Sequence, residues 1–334
     1  MDIPSLARDP SIQALIDAFS ESVAITDRAG VILAINRGWR QFGDRNGLRA
    51  NAHCLHENYV AALDTDDFGG EVRRGFDEVA AGVRSVFEVE YPCHSDTEKR
   101  WFLLAITRFP YRDDFFLLVS HKDVTFIKNH ERALEKVLFQ TIDAIGSTIE
   151  KKDPYTSGHQ RSVALLSACM GTKLGLSPRA VVGLWFGALI HDVGKIYVPA
   201  EVLNRPGRLS RVELDFIKEH AEVGYEIVHH IEFPWPVAEI VRQHHERIDG
   251  TGYPQGLRGD EIIVEARIVS VADVFEAMMS HRPYRAALGK DVSIQELRRG
   301  RGVAYDPDAV DACLEIVSAD DFDISALEPP FDLS

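Results

Sequence analysis

The sequence predicts a multidomain protein with an N-terminal α+β domain built on an antiparallel sheet, a long connecting helix and a C-terminal all-α domain. Three observations lead to this prediction. The chain has 334 residues, which is more than one ordinary core requires. Strand patterns stop near Thr125, and beyond it apolar residues recur at helical spacing. We therefore expect domains at residues 1–125 and 151–334, joined by a helix at 126–150.

The N-terminal domain contains short strand patterns separated by polar turns. SIQALIDAF predicts a short amphipathic helix, and SVAITDRAGVILAIN predicts two strands around a turn at Asp27 to Gly30. Three further strands are expected in FEVEYPCH, RWFLLAITRFP and FFLLVSHKDVT, which are rich in aromatic and β-branched residues. The result is a small antiparallel sheet with helices in the middle of the domain.

This pattern resembles a PAS domain. The segment ITDRAGVILAIN is similar to the opening hairpin of that family, and Asp123-Val124-Thr125 is similar to its junction with an outgoing helix. The resemblance implies a sensor domain and leaves the sensed signal open. His53, His56 and Cys93 are either contacts to a bound cofactor or ordinary packing and surface residues.

The connecting helix is predicted from apolar residues that recur at spacings of three, four or seven. These residues are Ile127, Leu134, Leu138, Ile142, Ile145 and Ile149. Such a stripe can form a parallel seam with the same helix of a second chain, which would make the protein a homodimer. For the second half of the helix, packing against its own domain is the alternative.

Composition and charge exclude several classes of protein. The four cysteines have no CxxC spacing, which disfavours a disulfide framework and a thiolate zinc site and favours a reducing compartment. The N-terminus lacks an apolar segment of signal-peptide length, and AVVGLWFGALI is too short to span a bilayer. We expect a cytoplasmic protein without a membrane segment. The net charge of −15 disfavours long nucleic acids and leaves room for a small phosphate ligand.

The C-terminal domain concentrates histidines and acids on separate predicted helices. Eight of the 13 histidines lie between His159 and His281. Five helices could direct the following seven side chains inward: His159, His191, Asp192, His220, His244, His245 and Asp273. Each of them alone is more often a hydrogen-bonded core residue than a ligand. Together they are nitrogen and oxygen donors without a thiolate, which suits two ions such as iron or manganese better than structural zinc.

Helical spacing indicates which of these side chains are buried. His220 shares a predicted face with Ile217, Ile227 and Ile231, so we expect it to point to the core. His229 lies on the opposite side and should be solvated, and His230 is a doubtful ligand. Asp273 has the small neighbours Ser270 and Ala277, and a buried acid with space beside it requires a cation or a partner.

The order and spacing of these segments resemble the HD-GYP family. The segments KKDPYTSGHQRSV, HDVGK, EHAEVGYEIV, HHERIDGTGYP, VADVFEAM and RPYR follow the family order, and GVAYDPDAV is similar to its closing motif. The resemblance implies that His159, His191, Asp192 and Asp273 bind one metal and that His220, His244 and His245 bind another, with Asp192 bridging them. Some members bind a third metal through a Glu at the position of Tyr155, so two metals are expected here.

The resemblance also implies an activity and substrate contacts. It implies hydrolysis of cyclic di-GMP to pGpG, with further hydrolysis to GMP left open, by a hydroxide that bridges the two metals. It implies that Arg282 and Arg285 hold phosphate, with ordinary surface charge as the alternative. The loop with Gly252, Tyr253 and Pro254 would face the substrate or be a purely structural turn. Lys195, one helical turn beyond His191, is placed to neutralise a phosphate oxygen, and a solvated lysine is the alternative. Arg247 is a candidate to orient Asp249 or this loop, and partners with GGDEF domains are implied for the same loop.

Two alternatives stay open beside cyclic di-GMP hydrolysis. The first is a phosphodiesterase that acts on another cyclic dinucleotide or nucleotide, because the sequence indicates a phosphodiester site and does not indicate which bases enter it. The second is a signalling adaptor that binds GGDEF-type partners without catalysis. In both cases the seven donor residues would still be expected to converge.

Overall fold

The computed structural model contains two compact units, residues 1–134 and 135–334. It describes residues 6, 9–45, 53–63, 67–94, 98–152, 158–205, 207, 209–280, 287–319 and 322–330. The division between the units lies inside the expected connecting helix.

The N-terminal unit is a five-stranded antiparallel sheet with the strand order β2-β1-β5-β4-β3. Its strands are β1 (Ser22–Thr26), β2 (Ile32–Ile35), β3 (Val86–Pro92), β4 (Trp101–Tyr111) and β5 (Asp114–Asp123). Helix α1 (Pro10–Asp17) precedes the sheet, and α2 (Arg37–Arg45) and α3 (Asp67–Ala80) lie between β2 and β3 in the chain. The fold predicted for this part of the sequence is therefore confirmed.

Both faces of this sheet are covered, because its strands carry apolar residues on both sides. On one face Phe76 of α3 packs with Leu104 and Ile106 of β4. On the other face Ile16 of α1 packs with Ile25 of β1. Burial alternates along the first part of β4, as expected for a strand with one face turned to a core.

Helix α4 (Thr125–Lys152) begins directly after β5 and continues into the C-terminal unit. Ile142 and Ile149 in its second half are buried in the core of that unit. By contrast, Ile127 and Leu134 in the first half are 49% and 70% exposed. The second half therefore packs on its own domain, and the first half leaves its apolar residues exposed.

The C-terminal unit is helical, and none of its described residues lies in a strand. Its α-helices are α5 (His159–Lys173), α6 (Pro178–Leu189), α7 (Ala200–Leu203), α8 (Arg211–Lys218), α9 (His220–Val228), α10 (Val237–Gln243), α11 (Val264–Met279), α12 (Lys290–Gly300) and α13 (Pro307–Val317). A 3-10 helix at Val193–Tyr197 follows α6. Phe186 and Phe275 are fully buried in the core between these helices. The predicted all-α domain is confirmed.

Three predicted helices end earlier than the apolar pattern indicates. Helix α6 stops at Leu189, before His191 and Asp192, and α10 stops at Gln243, before His244 and His245. The single helix expected around His220 is two helices, because the chain turns at Glu219 between α8 and α9. Apart from Asp273, which lies inside α11, the predicted donors thus lie at helix ends or just beyond them.

This break also corrects the argument about the face that His220 occupies. His220 is buried as expected, but Ile227 and Ile231 are 42% and 52% exposed. The break separates Ile217 on α8 from His220 on α9, whereas Ile227 lies on α9 with His220 and is still half-exposed, so the burial of His220 does not come from a shared apolar face. His229 and His230 are both exposed, as expected for the solvated side.

The apolar stretch around α6 is longer than the sequence argument assumed. Together with the 3-10 helix that follows, Pro178–Tyr197 reaches 20 residues and would be long and apolar enough to cross a membrane. However, 72% of its most apolar window is buried inside the protein. Burial of this kind is also found in the core helix of a globular domain.

Candidate metal centre

The ends of four helices and the middle of α11 meet in the C-terminal unit and bring imidazoles and carboxylates together. His159 begins α5, His191 and Asp192 follow α6, and His220 begins α9. His244 and His245 follow α10, and Asp273 lies within α11. The side chains of His159, His191, Asp192 and His220 are at most 2% exposed. All seven residues expected from the sequence are therefore found in one buried cluster.

The donor atoms of this cluster form two groups that share one carboxylate. In the first group, ligand atoms of Asp192, His220, His244 and His245 lie within 4.8 Å of one another. In the second, His159, His191 and Asp192 meet the same limit. Each group is the size of one coordination site, and Asp192 belongs to both. The arrangement thus has the form of two adjacent sites with Asp192 between them.

Asp273 lies beside the second group. Its Oδ1 atom is 3.2 Å from Nε2 of His159 and 4.0 Å from Nε2 of His191. Its Oδ2 atom is 4.0 Å from Nδ1 of His245. The carboxylate is therefore close enough to join the group of His159 and His191, as the family resemblance implies.

Three of the imidazoles have the same hydrogen bond, which fixes their tautomer. Nδ1 of His191, His220 and His244 donates to the carbonyl oxygen three residues earlier, at 2.6, 2.7 and 2.7 Å respectively. A neutral imidazole that donates through Nδ1 has an unshared electron pair on Nε2. These three rings thus present Nε2 as a ligand atom, and the backbone carbonyls orient them.

Two of these Nε2 atoms face each other across the site. Nε2 of His220 lies 3.3 Å from Nε2 of His244, and it also lies 3.3 Å from Oδ1 of Asp192. With the tautomers set by the backbone, all three atoms are acceptors and repel one another. A cation between them converts this repulsion into coordination, whereas without one the arrangement costs energy.

The electrostatics of the site favour metal binding. Burial lowers the pKa of His220 to about 4 and holds the pKa values of His244 and His245 well below the usual range. These rings are therefore neutral at pH 7, which is the protonation state that metal coordination requires. Burial alone would raise the pKa of Asp192, but Lys195 and His191 outweigh it and hold that pKa well below its usual range.

The residues present therefore fit a pair of divalent ions. Nε2 of His159 and Oδ1 of Asp192 are buried and have no hydrogen-bond partner among the described residues. Neutral imidazoles and carboxylates are the donors that iron, manganese and similar divalent ions accept. One ion would be held by His220, His244 and His245, the other by His159, His191 and Asp273, with Asp192 between them.

Two residues that the sequence analysis missed hold the ligands in place. Nδ1 of His159 is hydrogen-bonded to Oε2 of the buried Glu276, whose Oε1 accepts from Ser280 at 2.6 Å. Burial alone lowers the pKa of His159, but the neighbouring carboxylates of Asp273 and Glu276 raise it to about 9, so a metal ion at Nε2 would displace a proton from this ring. Gln160 donates through Nε2 to Oδ2 of Asp192 at 3.1 Å. Glu276 could have been found, since it lies three residues after Asp273 on one helix.

Glu246, also missed, anchors the glycine-rich loop that follows the histidine pair. Its buried carboxylate accepts backbone N–H bonds from Gln255, Gly256 and Leu257 at 2.7, 3.1 and 3.1 Å. Gly252 in this loop passes so close to the backbone of Glu246 that a Cβ atom would lie 2.4 Å from its Cα. Gly252 therefore allows the loop to fold back on the chain itself.

Of the expected substrate contacts, Lys195 and Tyr253 lie beside the cluster. Nζ of Lys195 is 2.6 Å from Oδ2 of Asp192, so in this structure it pairs with the shared carboxylate. The ring of Tyr253 packs against His245 with 4.8 Å between ring centroids, and Pro254 is exposed. Tyr253 thus covers one side of the donor cluster.

Arg247 was expected to orient Asp249 or the glycine-rich loop. Arg247 hydrogen-bonds to Ser270 on α11 and to the carbonyl oxygen of Glu246, and Oδ1 of Asp249 accepts from Thr251. Arg247 therefore connects the start of the loop to α11. Tyr155, Arg282 and Arg285 lie outside the described residues.

Comparison with known proteins identifies families for both parts of the chain. Residues 144–309 match the HD domain family, and residues 16–125 match the PAS fold family. The chain is 40% identical over 177 residues to the cyclic di-GMP phosphodiesterase response regulator RpfG of Xanthomonas campestris, covering 52% of this chain and 47% of that protein.

Two further relatives differ in the substrate that their names give. A cyclic di-GMP phosphodiesterase of Thermotoga maritima is 36% identical over 62% of this chain and 57% of its own length. The 3'3'-cGAMP-specific phosphodiesterase 3 of Vibrio cholerae is 35% identical over 50% of this chain and 36% of its own length. The chain thus spans between about a third and just over half of the length of these relatives.

Replacement of Glu276 is predicted to weaken metal binding without unfolding the domain. In Glu276→Ala, His159 loses the acceptor that orients its ring, so we expect the affinity for Mn²⁺ to fall about 10- to 100-fold. Glu276→Gln keeps an acceptor oxygen and should lose less. Titration of metal-free protein against a chelator of known affinity measures both. Equal Mn²⁺ affinity in wild type and Glu276→Ala would show that Glu276 does not orient a ligand.

Proposed function

We propose that this chain is a metal-dependent phosphodiesterase that hydrolyses a cyclic dinucleotide, because residues 144–309 match the HD domain family and residues 16–125 match the PAS fold family. The observation that carries the proposal is the pair of donor groups that share Asp192. During hydrolysis of a phosphodiester, the attacking oxygen, the leaving oxygen and a non-bridging oxygen all lie close to one phosphorus atom. Two adjacent cations can contact these oxygens together.

The proposed mechanism assigns separate tasks to the ions and to the side chains. When bound, the two divalent ions would supply Lewis acidity and lower the pKa of water. Asp192 would hold the ions at a fixed separation, because it belongs to both donor groups. Lys195 would neutralise the charge that develops on a phosphate oxygen. Its ammonium group lies beside the shared carboxylate of Asp192 and so is close to the place where the phosphate would bind. Tyr253 would restrict the access of solvent from one side.

For the substrate we propose cyclic di-GMP, with linear pGpG as the product. Support comes from the two relatives that are named cyclic di-GMP phosphodiesterases. The relative named for 3'3'-cGAMP makes that dinucleotide the competing candidate. Iron or manganese is the proposed metal, since the donors are imidazoles and carboxylates without a thiolate.

We further propose that the PAS fold regulates the HD domain in the cytoplasm. Helix α4 is the physical connection, since it begins at the end of β5 and continues into the C-terminal unit. Arg282 and Arg285 are proposed to hold substrate phosphate. GGDEF-domain proteins are proposed to contact the exposed part of the loop at Thr251, Pro254 and Gln255.

Asp192→Asn is predicted to abolish hydrolysis. The amide keeps the shape of the side chain and removes the charge that both sites share, so we expect the turnover of cyclic di-GMP to fall at least about 1,000-fold. The measurement is chromatographic detection of pGpG from Mn²⁺-loaded or Fe²⁺-loaded protein. Asp260→Asn is the matched control, because the Asp260 side chain is 99% exposed, and it should retain full activity.

The outcomes of this assay separate the proposed function from its alternatives. Turnover of 3'3'-cGAMP without turnover of cyclic di-GMP would show that 3'3'-cGAMP is the substrate and would leave the proposed reaction unchanged. A metal-loaded wild type that hydrolyses neither dinucleotide nor nucleoside triphosphates, and whose Asp192→Asn variant still binds a GGDEF-domain protein, would favour a signalling adaptor. Full activity in Asp192→Asn would contradict the proposed centre.

A homodimer formed through the first half of α4 is a separate proposal. Ile127, Leu134, Val137 and Leu138 are 49%, 70%, 58% and 38% exposed. They lie three, four and seven residues apart and so form one stripe along the helix. A stripe of this kind is complementary to itself in a parallel pair.

Leu134→Glu is predicted to convert the dimer to a monomer. A carboxylate in the seam would face its symmetry mate across an apolar contact, which is unfavourable. Light scattering coupled to size-exclusion chromatography measures the mass of the particle. Lys136→Glu is the control, because it introduces the same residue at an exposed position of the same helix, and this variant should remain dimeric. A wild-type chain that is monomeric at all concentrations, or a Leu134→Glu variant that stays dimeric, would contradict the proposed seam.

A further inference from the structure

The N-terminal unit contains a cavity of about 290 Å³ on one face of its sheet, here called the sheet cavity. Six aromatic rings line it, those of Trp39, Phe42, Tyr59, Phe68, Tyr91 and His121. The volume is near the lower end of the range for small-molecule sites, about 300 to 1,000 Å³. This volume accommodates one or two fused rings.

A polar group of three side chains interrupts this apolar lining. The hydroxyl of Tyr91 lies 2.6 Å from Nδ1 of His121, and the hydroxyl of Tyr59 lies 3.3 Å from Nε2 of the same ring. All three residues line the sheet cavity. Polar side chains in an apolar cavity are typical of sites that orient a ligand.

The protonation of this group determines what it offers to a ligand. Burial lowers the pKa of His121 to about 4, so the ring is neutral at pH 7. A neutral ring donates through one nitrogen and accepts through the other. One phenol therefore accepts from the ring and keeps its own O–H, and no second partner for either phenol is recorded among the described residues. The group thus offers a hydrogen-bond donor to the cavity.

The charge of the lining restricts the ligand further. Glu57 is the one ionised side chain among the described residues of the lining, and it is exposed. An anionic ligand would lose its hydration in this cavity without gaining an opposite charge. An uncharged ring, by contrast, gains contacts with the aromatic side chains. The lining therefore favours neutral aromatic molecules over anionic ones.

One wall of the sheet cavity has an unusual backbone. His53, Cys54 and His56 have positive φ angles of 59°, 68° and 70°, and Cys54 lines the cavity. This conformation is uncommon for residues other than glycine. It is held by Nε1 of Trp39, which donates to the carbonyl oxygen of His53 at 3.0 Å, and by the backbone N–H of His56, which donates to Ile32 at 2.9 Å. Segments of this kind cluster at ligand sites.

We propose that the sheet cavity binds a small uncharged aromatic molecule that carries a hydrogen-bond acceptor, such as a ring carbonyl or a ring nitrogen. Tyr59, His121 and Tyr91 recognise the acceptor, and the surrounding rings hold the aromatic part. His53, His56 and Cys93, for which the sequence left open either cofactor contacts or ordinary packing, are not among the described lining residues of the cavity, whereas His121 is. The site lies in the N-terminal unit and does not depend on the proposed phosphodiesterase activity.

Coumarin is a suitable probe, since it has two fused rings and a lactone carbonyl and carries no charge. In calorimetric titration of the full chain we expect saturable binding of coumarin. Coumarin-3-carboxylate has the same rings and one negative charge, and its dissociation constant should be at least about tenfold higher. In the Tyr59→Phe/Tyr91→Phe double variant the dissociation constant of coumarin should rise about two- to tenfold, the effect of one hydrogen bond.

Tyr111→Phe is the matched control. Its hydroxyl donates to Oδ2 of Asp9 at 2.8 Å in the same unit and does not line the sheet cavity, so coumarin affinity should be unchanged. The proposal is overturned if coumarin does not bind saturably to wild type, if the carboxylate binds equally well, or if the double variant binds coumarin as wild type does. None of these readouts involves hydrolysis, so they are independent of the outcome for the metal centre.

Discussion

The C-terminal unit buries unprotonated imidazole nitrogens and a carboxylate close together, and positive charge is needed to offset the repulsion between them. Backbone carbonyls take the Nδ1 protons of His191, His220 and His244, which leaves three unprotonated nitrogens directed inward. The carboxylate of Asp192 lies among them, fully buried, with Lys195 on one oxygen only. Cations at the centre of this set would offset the repulsion between its electron pairs. Helices α6 and α10 end early, and the chain breaks before α9. These three features place donor side chains around this centre.

Close packing of the backbone is the second requirement of the same site. Gly194, in the 3-10 helix after Asp192, lies against α9, and a Cβ atom there would be 1.9 Å from the carbonyl oxygen of His220. The segment that carries Asp192 can therefore approach His220 only with glycine at this position. Together with the anchoring of the loop by Glu246, this contact explains why glycines and acids accompany the histidines in the sequence.

Much of this could be predicted from the sequence, because hydrophobic periodicity and residue type were sufficient. The strand patterns gave the sheet, and the apolar spacing after Thr125 gave the helices. The seven donors were identified by residue type and family resemblance. What could not be predicted depends on distances between separate segments. Glu276, Gln160 and Glu246 act through hydrogen bonds across the fold, and His121 became significant only when the cavity beside it was seen. Helix ends were also misplaced, since α6 ends at Leu189 and α10 ends at Gln243, before the donors that were expected within these helices.

The central claim is that two metal ions share Asp192, and anomalous diffraction from crystals grown with Mn²⁺ tests it most directly. The account predicts two anomalous peaks about 3.5 to 4 Å apart, one beside His220, His244 and His245 and the other beside His159 and His191, both in contact with Asp192. A single peak, or a fully ordered site in which Nε2 of His220 and Nε2 of His244 contact water and no metal, would contradict it.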